Sequence, residues 1–87
     1  MTTIYKYPLE ITGEQTLALP TGAKIIHVGH DPKNDLCIWA EVQVGQHVTE
    51  DVRIHIFGTG HPKLPVCERH LGSVVAGPYV LHVYLGT

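Results

Sequence analysis

The sequence has no apolar run approaching the roughly 20 residues that a membrane-spanning helix needs. Its first residues, Met1-Thr2-Thr3-Ile4-Tyr5-Lys6, contain no apolar core of a secretory leader. It is also poor in charge: 16% of its 87 residues are Asp, Glu, Lys or Arg, against roughly a quarter in average soluble domains. The six Lys and Arg do not cluster, so the basic stripe that tracks a phosphate backbone is missing and nucleic-acid binding is not expected. Only two cysteines are present, Cys37 and Cys67. They allow one disulfide at most, and a protein kept in the cytosol would hold them reduced. Cys37, in an apolar run, reads as a core residue, and Cys67, in a polar segment, as an exposed one. Prolines at 8, 20, 32, 62, 65 and 78, with nine glycines scattered through the chain, leave no convincing helical stretch. The absences together point to a soluble, intracellular protein without helices, membrane contact or nucleic-acid partner.

What is present is a period of two. Apolar residues alternate, or run in short blocks rich in Val, Ile and Tyr, between Gly/Pro turns. Strands are expected over 3–9, 14–19, 23–28, 36–44, 51–57, 71–76 and 79–85. Asp31-Pro32-Lys33-Asn34-Asp35 closes one hairpin and Gly77-Pro78 the last. Pro8 confines the first strand to an edge or ends it. Residues 58–68 carry no period and read as the longest irregular segment. The expectation is a single all-β domain over 1–87, a small antiparallel sandwich or partly open barrel of six to seven short strands. A domain this small gains from further burial, and its charge-poor surface suits a covered face, so a homo-oligomer is expected.

Parity also sorts the candidate functional residues. Leu36, Ile38, Ala40 and Val42 share one face of their strand, leaving Trp39 on the less apolar one with Cys37, Glu41 and Gln43. Arg53, His55 and Phe57 likewise oppose Val52, Ile54 and Ile56. If these two surfaces adjoin, Trp39 and Phe57 with Arg53 form an aromatic–cationic interface patch. Directly after Phe57 comes Gly58-Thr59-Gly60-His61-Pro62. Its alternate glycines allow successive N–H groups to point into one concavity, with the Thr59 hydroxyl and His61 ring beside them. With Arg53 and Arg69 supplying charge, Gly58, Thr59, Gly60 and His61 are the expected ligand-binding set for a phosphate or carboxylate. No helix follows this loop, so it is not a P-loop or dinucleotide fingerprint.

Seven histidines are unusual for this length and carry the chain from −2 to +5 when all are protonated. His27, His55 and His82 each fall inside an expected strand. Three imidazoles on one face could hold zinc, but no close-spaced pair supports it, and ordinary cross-strand positions are the simpler reading. Neither a metal nor another cofactor is expected. Cys67 beside His61 or His70 is the one arrangement that could carry covalent catalysis, and it has no evident orienting third group. A non-enzymatic protein is expected.

The order of Tyr5-Lys6-Tyr7-Pro8-Leu9, Glu14-Gln15-Thr16, the aliphatic–Trp39-Ala40 strand, Gly58-Thr59-Gly60-His61-Pro62, Leu71-Gly72 and Leu81-His82-Val83 resembles a family of small, functionally uncharacterised proteins encoded by bacteriophages and prophages. The resemblance covers nearly the whole chain. It implies expression in the cytoplasm of an infected host, and it transfers no catalytic residue. The function expected on this footing is a binding protein, an antagonist of host defence that inhibits a host protein or sequesters an anionic signalling nucleotide. The rival is a minor structural or assembly component of the phage particle.

Overall fold

The computed structural model describes residues 1–87. It is all-β, with seven strands: β1 (Thr2–Pro8), β2 (Glu14–Pro20), β3 (Lys24–His30), β4 (Leu36–Gln43), β5 (Thr49–Gly58), β6 (Cys67–Ala76) and β7 (Tyr79–Gly86). All pairings are antiparallel, in a three-stranded sheet ordered β1-β4-β3 and a four-stranded sheet ordered β2-β5-β7-β6. The two sheets stack as an open sandwich rather than a closed barrel, and the shortest extent of 16 Å leaves room for two layers only. No helix is long and apolar enough to cross a membrane.

The alternation dictates the layers. Leu36 and Ile38 of β4 pack with Ile54 and Ile56 of β5, Val74 of β6 and Val83 of β7, and Leu9, Leu19 and Val28 complete the cluster, with Ala40 and Val42 buried along the same face of β4. Each buried Val or Ile contributes roughly 1.5–3 kcal/mol of transfer free energy, so this layer is the main stabilising term. Where β3 and β6 meet at one side of the sandwich the approach is tight. A Cβ on Gly72 would sit 3.0 Å from Val28 Cβ.

The hairpin between β3 and β4 is fastened by one side chain. The buried Asp31 carboxylate accepts hydrogen bonds from the Lys33 and Asp35 N–H groups at 3.0 and 2.9 Å and from Lys6 Nζ at 2.7 Å. Asn34 takes the left-handed conformation that this turn needs (φ 65°). The Lys6 ammonium, seconded by the Asp35 amide, holds the Asp31 carboxyl down to about 2, and the same pairing raises the Lys6 amine.

Two expectations need correction. The final strand pair starts earlier than the irregular stretch suggested, since β6 begins at Cys67 rather than Leu71. Cys67 is consequently buried, at 2% exposure, where an exposed loop thiol was expected. Its period was hidden because β6 carries two bulges, which insert Glu68 and Leu71 into an otherwise alternating strand. Both cysteines are free and buried, and burial pushes the Cys37 thiol up.

Candidate functional site: the outer face of the four-stranded sheet

Register fixes what the outward face of the larger sheet displays. β5 offers Arg53, His55 and Phe57, and their β7 partners are Gly86, Tyr84 and His82. From β6, Cys67, His70 and Ser73 stand opposite those same three β7 residues. His70 and Ser73 are three apart and would point to opposite faces in a regular strand; the Leu71 bulge brings them to the same side.

The result is a continuous chain of polar contacts. His82 Nε2 lies 2.7 Å from Thr59 Oγ1, His82 Nδ1 lies 2.7 Å from Ser73 Oγ, and His70 Nε2 lies 2.9 Å from that same Ser73 oxygen. Thr59, Ser73 and His70 are exposed and His82 is half-buried. Aromatic rings pave the sheet alongside. Phe57 and Tyr84 stack at 5.4 Å with 21° between planes, His82 tilts against Phe57 at 5.8 Å and His70 against Tyr84 at 5.1 Å. The Lys63 ammonium sits over the Tyr84 ring, 5.4 Å from its centre. The chain has two ion pairs, Lys6–Asp31 and Arg53–Glu14, and neither involves this cluster.

At the other end of the same face, residues Pro62–Val66 fold back over the sheet. They cover a cleft of about 260 Å³ lined by Gly13, His55, Phe57, Pro62, Leu64 and Cys67. His55 is 4% exposed there, and its Nε2 is buried without a partner. Gly86 makes the closure possible, because any side chain on it would collide with Val66 O and the His55 ring.

The expected site is thus partly assembled and partly dispersed. Gly58, Thr59, Gly60 and His61 do leave β5 beside the polar chain. Two of their amides are already committed, however: Thr59 N–H donates to Val80 O at 3.2 Å and His61 N–H to Gly58 O at 3.1 Å. The contribution of this segment is the Thr59 hydroxyl. His61 turns back over Gly58, and Gly60 provides the positive φ (90°) that reverses the chain.

Arg53 is on the correct face but four residues from Phe57 along β5, tied to Glu14 beside a separate shallow hollow with Thr16 and Asp51. Arg69 pairs with Leu85, on the opposite side of β6, and lines a gap with Leu71 and Ile25. Trp39 and Phe57 do not form one patch. Trp39 lies on the outer face of the smaller sheet, 5.3 Å from the His27 ring, while Arg53 and Phe57 lie on the outer face of the larger one. The chain changes sheets between β4 and β5, so residues of like parity end up on opposite sides of the sandwich. For the same reason His27 is separated from His55 and His82, and no three His, Cys, Asp or Glu side chains are grouped to hold a metal. Period-two reasoning missed Ser73, His70, Tyr84 and Lys63 as members of the site. The adjacency of Thr59 and His82 follows from the β5–β7 register, which no local pattern encodes.

Two of the segments that meet here, Gly58–Pro62 and Leu81-His82-Val83, are also ones on which the sequence resemblance rests, and a third, Leu71-Gly72, directly precedes Ser73. Comparison with known protein families gives a match over residues 1–87 to Domain of unknown function (DUF7352). The chain belongs to that family. No curated protein and no solved structure matches it. The match to the DUF7352 family spans every strand of both sheets.

Proposed function

We propose that this DUF7352 protein is a non-enzymatic binding module, and that its ligand-binding surface is the outer face of the β2-β5-β7-β6 sheet. The ligand we infer is a small planar anion of the nucleotide class. The observation that carries the reading is the unbroken chain Thr59–His82–Ser73–His70 lying beside the stacked Phe57 and Tyr84 rings. Hydroxyls and imidazoles offer hydrogen-bond donors to an anionic group, Lys63 adds charge, and an aromatic platform accepts a base by stacking. The phage-encoded setting implied by the sequence resemblance would make that ligand, or the protein presenting it, a component of the host. Catalysis is not part of the proposal, which uses these groups only as hydrogen-bond donors, charge and stacking surface.

Thermal shift and calorimetry against cyclic nucleotides, nucleoside mono- and diphosphates and adenosine-diphosphate-ribose derivatives test the reading. A stabilising shift that Phe57→Ala and Ser73→Ala each diminish is expected. No shift with any member at millimolar concentration would dispose of it.

One observation favours a second reading, an assembly role in a phage particle. Strand β1 is a free sheet edge, and its Ile4 and Tyr5 are 51% and 52% exposed, a template to which a further strand can add. Stoichiometric presence of the protein in purified particles would support it, and absence would reject it.

A further inference from the structure

His82 uses both ring nitrogens, and hydrogen-bond counting around it restricts what the site can offer. A neutral imidazole has one N–H and one acceptor nitrogen. If Nδ1 carries the hydrogen, it donates to Ser73, and Thr59 must spend its hydroxyl proton on Nε2. If Nε2 carries it, it donates to Thr59, and Ser73 must spend its proton on Nδ1. In either neutral tautomer one of the two hydroxyls is turned inward. Both can face a ligand as donors only when His82 donates from both nitrogens, which makes it an imidazolium. His70 does not alter the count, because its Nε2–H tautomer donates to Ser73 while remaining neutral.

The spacing of the hydroxyls defines what would use both. They stand on opposite edges of one imidazole ring, each 2.7 Å from its nitrogen. They are therefore farther apart than any two oxygens of a single phosphate. Two phosphates joined through a bridging oxygen can span the ring, one on each hydroxyl. The groups facing His82 suit such a ligand. Phe57 approaches from β5, Ser73 and His70 from β6, Thr59 and Lys63 from the segment after β5, and Tyr84 is the next outward residue on β7. No carboxylate is bonded to any of them.

We propose that the Thr59–His82–Ser73 unit is a diphosphate site, and that diphosphate binds with uptake of one proton at His82. This rests on the same face as the nucleotide reading and specifies both the anionic group and its pH dependence. An imidazolium between two ligand phosphates also supplies a charge that the neutral chain lacks, so affinity rises as pH falls.

The test is titration calorimetry of the whole protein with inorganic pyrophosphate, inorganic phosphate and a nucleoside diphosphate, near pH 6 and near pH 8, in buffers of different ionisation enthalpy. Pyrophosphate should bind at least tenfold more tightly near pH 6 than near pH 8, with proton uptake near pH 8 that approaches one per protein once the ionisation of pyrophosphate itself is subtracted, and more tightly than phosphate. Ser73→Ala and Thr59→Val should each erase the preference for pyrophosphate. His82→Gln has one donor side and one acceptor side, and it should bind weakly and without pH dependence. Should that variant fail to fold, the wild-type His82 ring resonances give the same answer, moving to the imidazolium position when pyrophosphate saturates the protein. Proton uptake near zero at pH 8, or equal affinity for phosphate and pyrophosphate at both pH values, overturns the proposal. Nucleotide binding without proton uptake would leave the aromatic platform reading intact and remove this one. Binding of neither nucleotides nor pyrophosphate removes both.

Discussion

Replacing Gly86 by alanine tests how the outer face of the larger sheet is built. The added Cβ would lie 2.3 Å from Val66 O, 2.5 Å from His55 Cδ2 and 2.6 Å from His55 Nε2. None of these neighbours can yield freely. Val66 O is fixed as the acceptor of the Thr87 N–H at 3.2 Å, and the His55 ring is buried. Overpacking of this kind costs about 1–3 kcal/mol. In a domain of this size each kcal/mol moves the melting temperature by roughly 4–8 °C, so a fall of about 5–20 °C is expected. Gly13→Ala is the control, because nothing lies within 4 Å of a Cβ there; its change should stay within about 0.5 kcal/mol. Thermal and urea unfolding followed by far-UV circular dichroism measure both. If the strain is relieved by lifting Pro62–Val66 from the sheet, Cys67 loses its cover, and a thiol-reactive dye should label the variant faster than the native protein. A Gly86→Ala protein that melts with the native one and keeps Cys67 unreactive would refute the reasoning, because the segment could not then be packed on β7 as described.

Three further outcomes are expected. Ile54→Ala removes a fully buried side chain from the centre of the inter-sheet layer and should cost about 2–5 kcal/mol in urea unfolding, whereas Val75→Ser, at an exposed position, should stay within about 0.5 kcal/mol. Gly72→Ala pushes a methyl against Val28, and Val28→Ala should relieve it, so a double-mutant cycle should give a favourable coupling of about 0.5 kcal/mol or more. The folded-state carboxyl of Asp31 titrates at about 2 rather than near its ordinary value of 3.8. Its stabilising contribution is therefore fully present above pH 3.8 and lost as pH falls through 2. Asp31→Asn should be less stable at neutral pH, with a flatter acid-unfolding profile; an unchanged profile would show that the Lys6 and backbone contacts do not hold the ionised form.

Much of the architecture was legible because the core strands obey strict alternation. Ile38, Ala40 and Val42, and separately Ile54 and Ile56, can be assigned to a buried face from the residues alone, and the β3–β4 and β6–β7 hairpins follow from Asp31–Asp35 and Gly77-Pro78. Alternation says which side of its own strand a residue takes. It does not say which sheet the strand joins. Trp39 and Arg53 were grouped on parity, and the crossover between β4 and β5 placed them on opposite outer faces. Bulges defeat the method in a second way. Cys67, His70 and Ser73 are spaced by three, a separation that should alternate their faces, yet Glu68 and Leu71 each shift the register by one and align all three.

That second failure bears on function. A bulge leaves a residue out of the ladder and weakens the edge strand that carries it, and β6 has two within five residues. With Leu71 kept and the alternation unbroken, His70 would face inward, where an imidazole would have to be buried among Val28, Val74 and Val83. The irregularity therefore keeps a polar ring out of the core and, by the same displacement, sets it against Ser73. Deleting Leu71 and replacing His70 by alanine separate the bulge from the ring. Deletion leaves His70 opposite Tyr84 and Ser73 opposite His82 in regular alternation, so ligand binding by the folded protein should persist. His70→Ala should lower affinity in the folded protein, because Ser73 loses its second imidazole while His82 and Thr59 stay in place on β7 and the segment after β5. Unaltered affinity in a folded His70→Ala variant would exclude His70 from the site and leave His82 as its only imidazole.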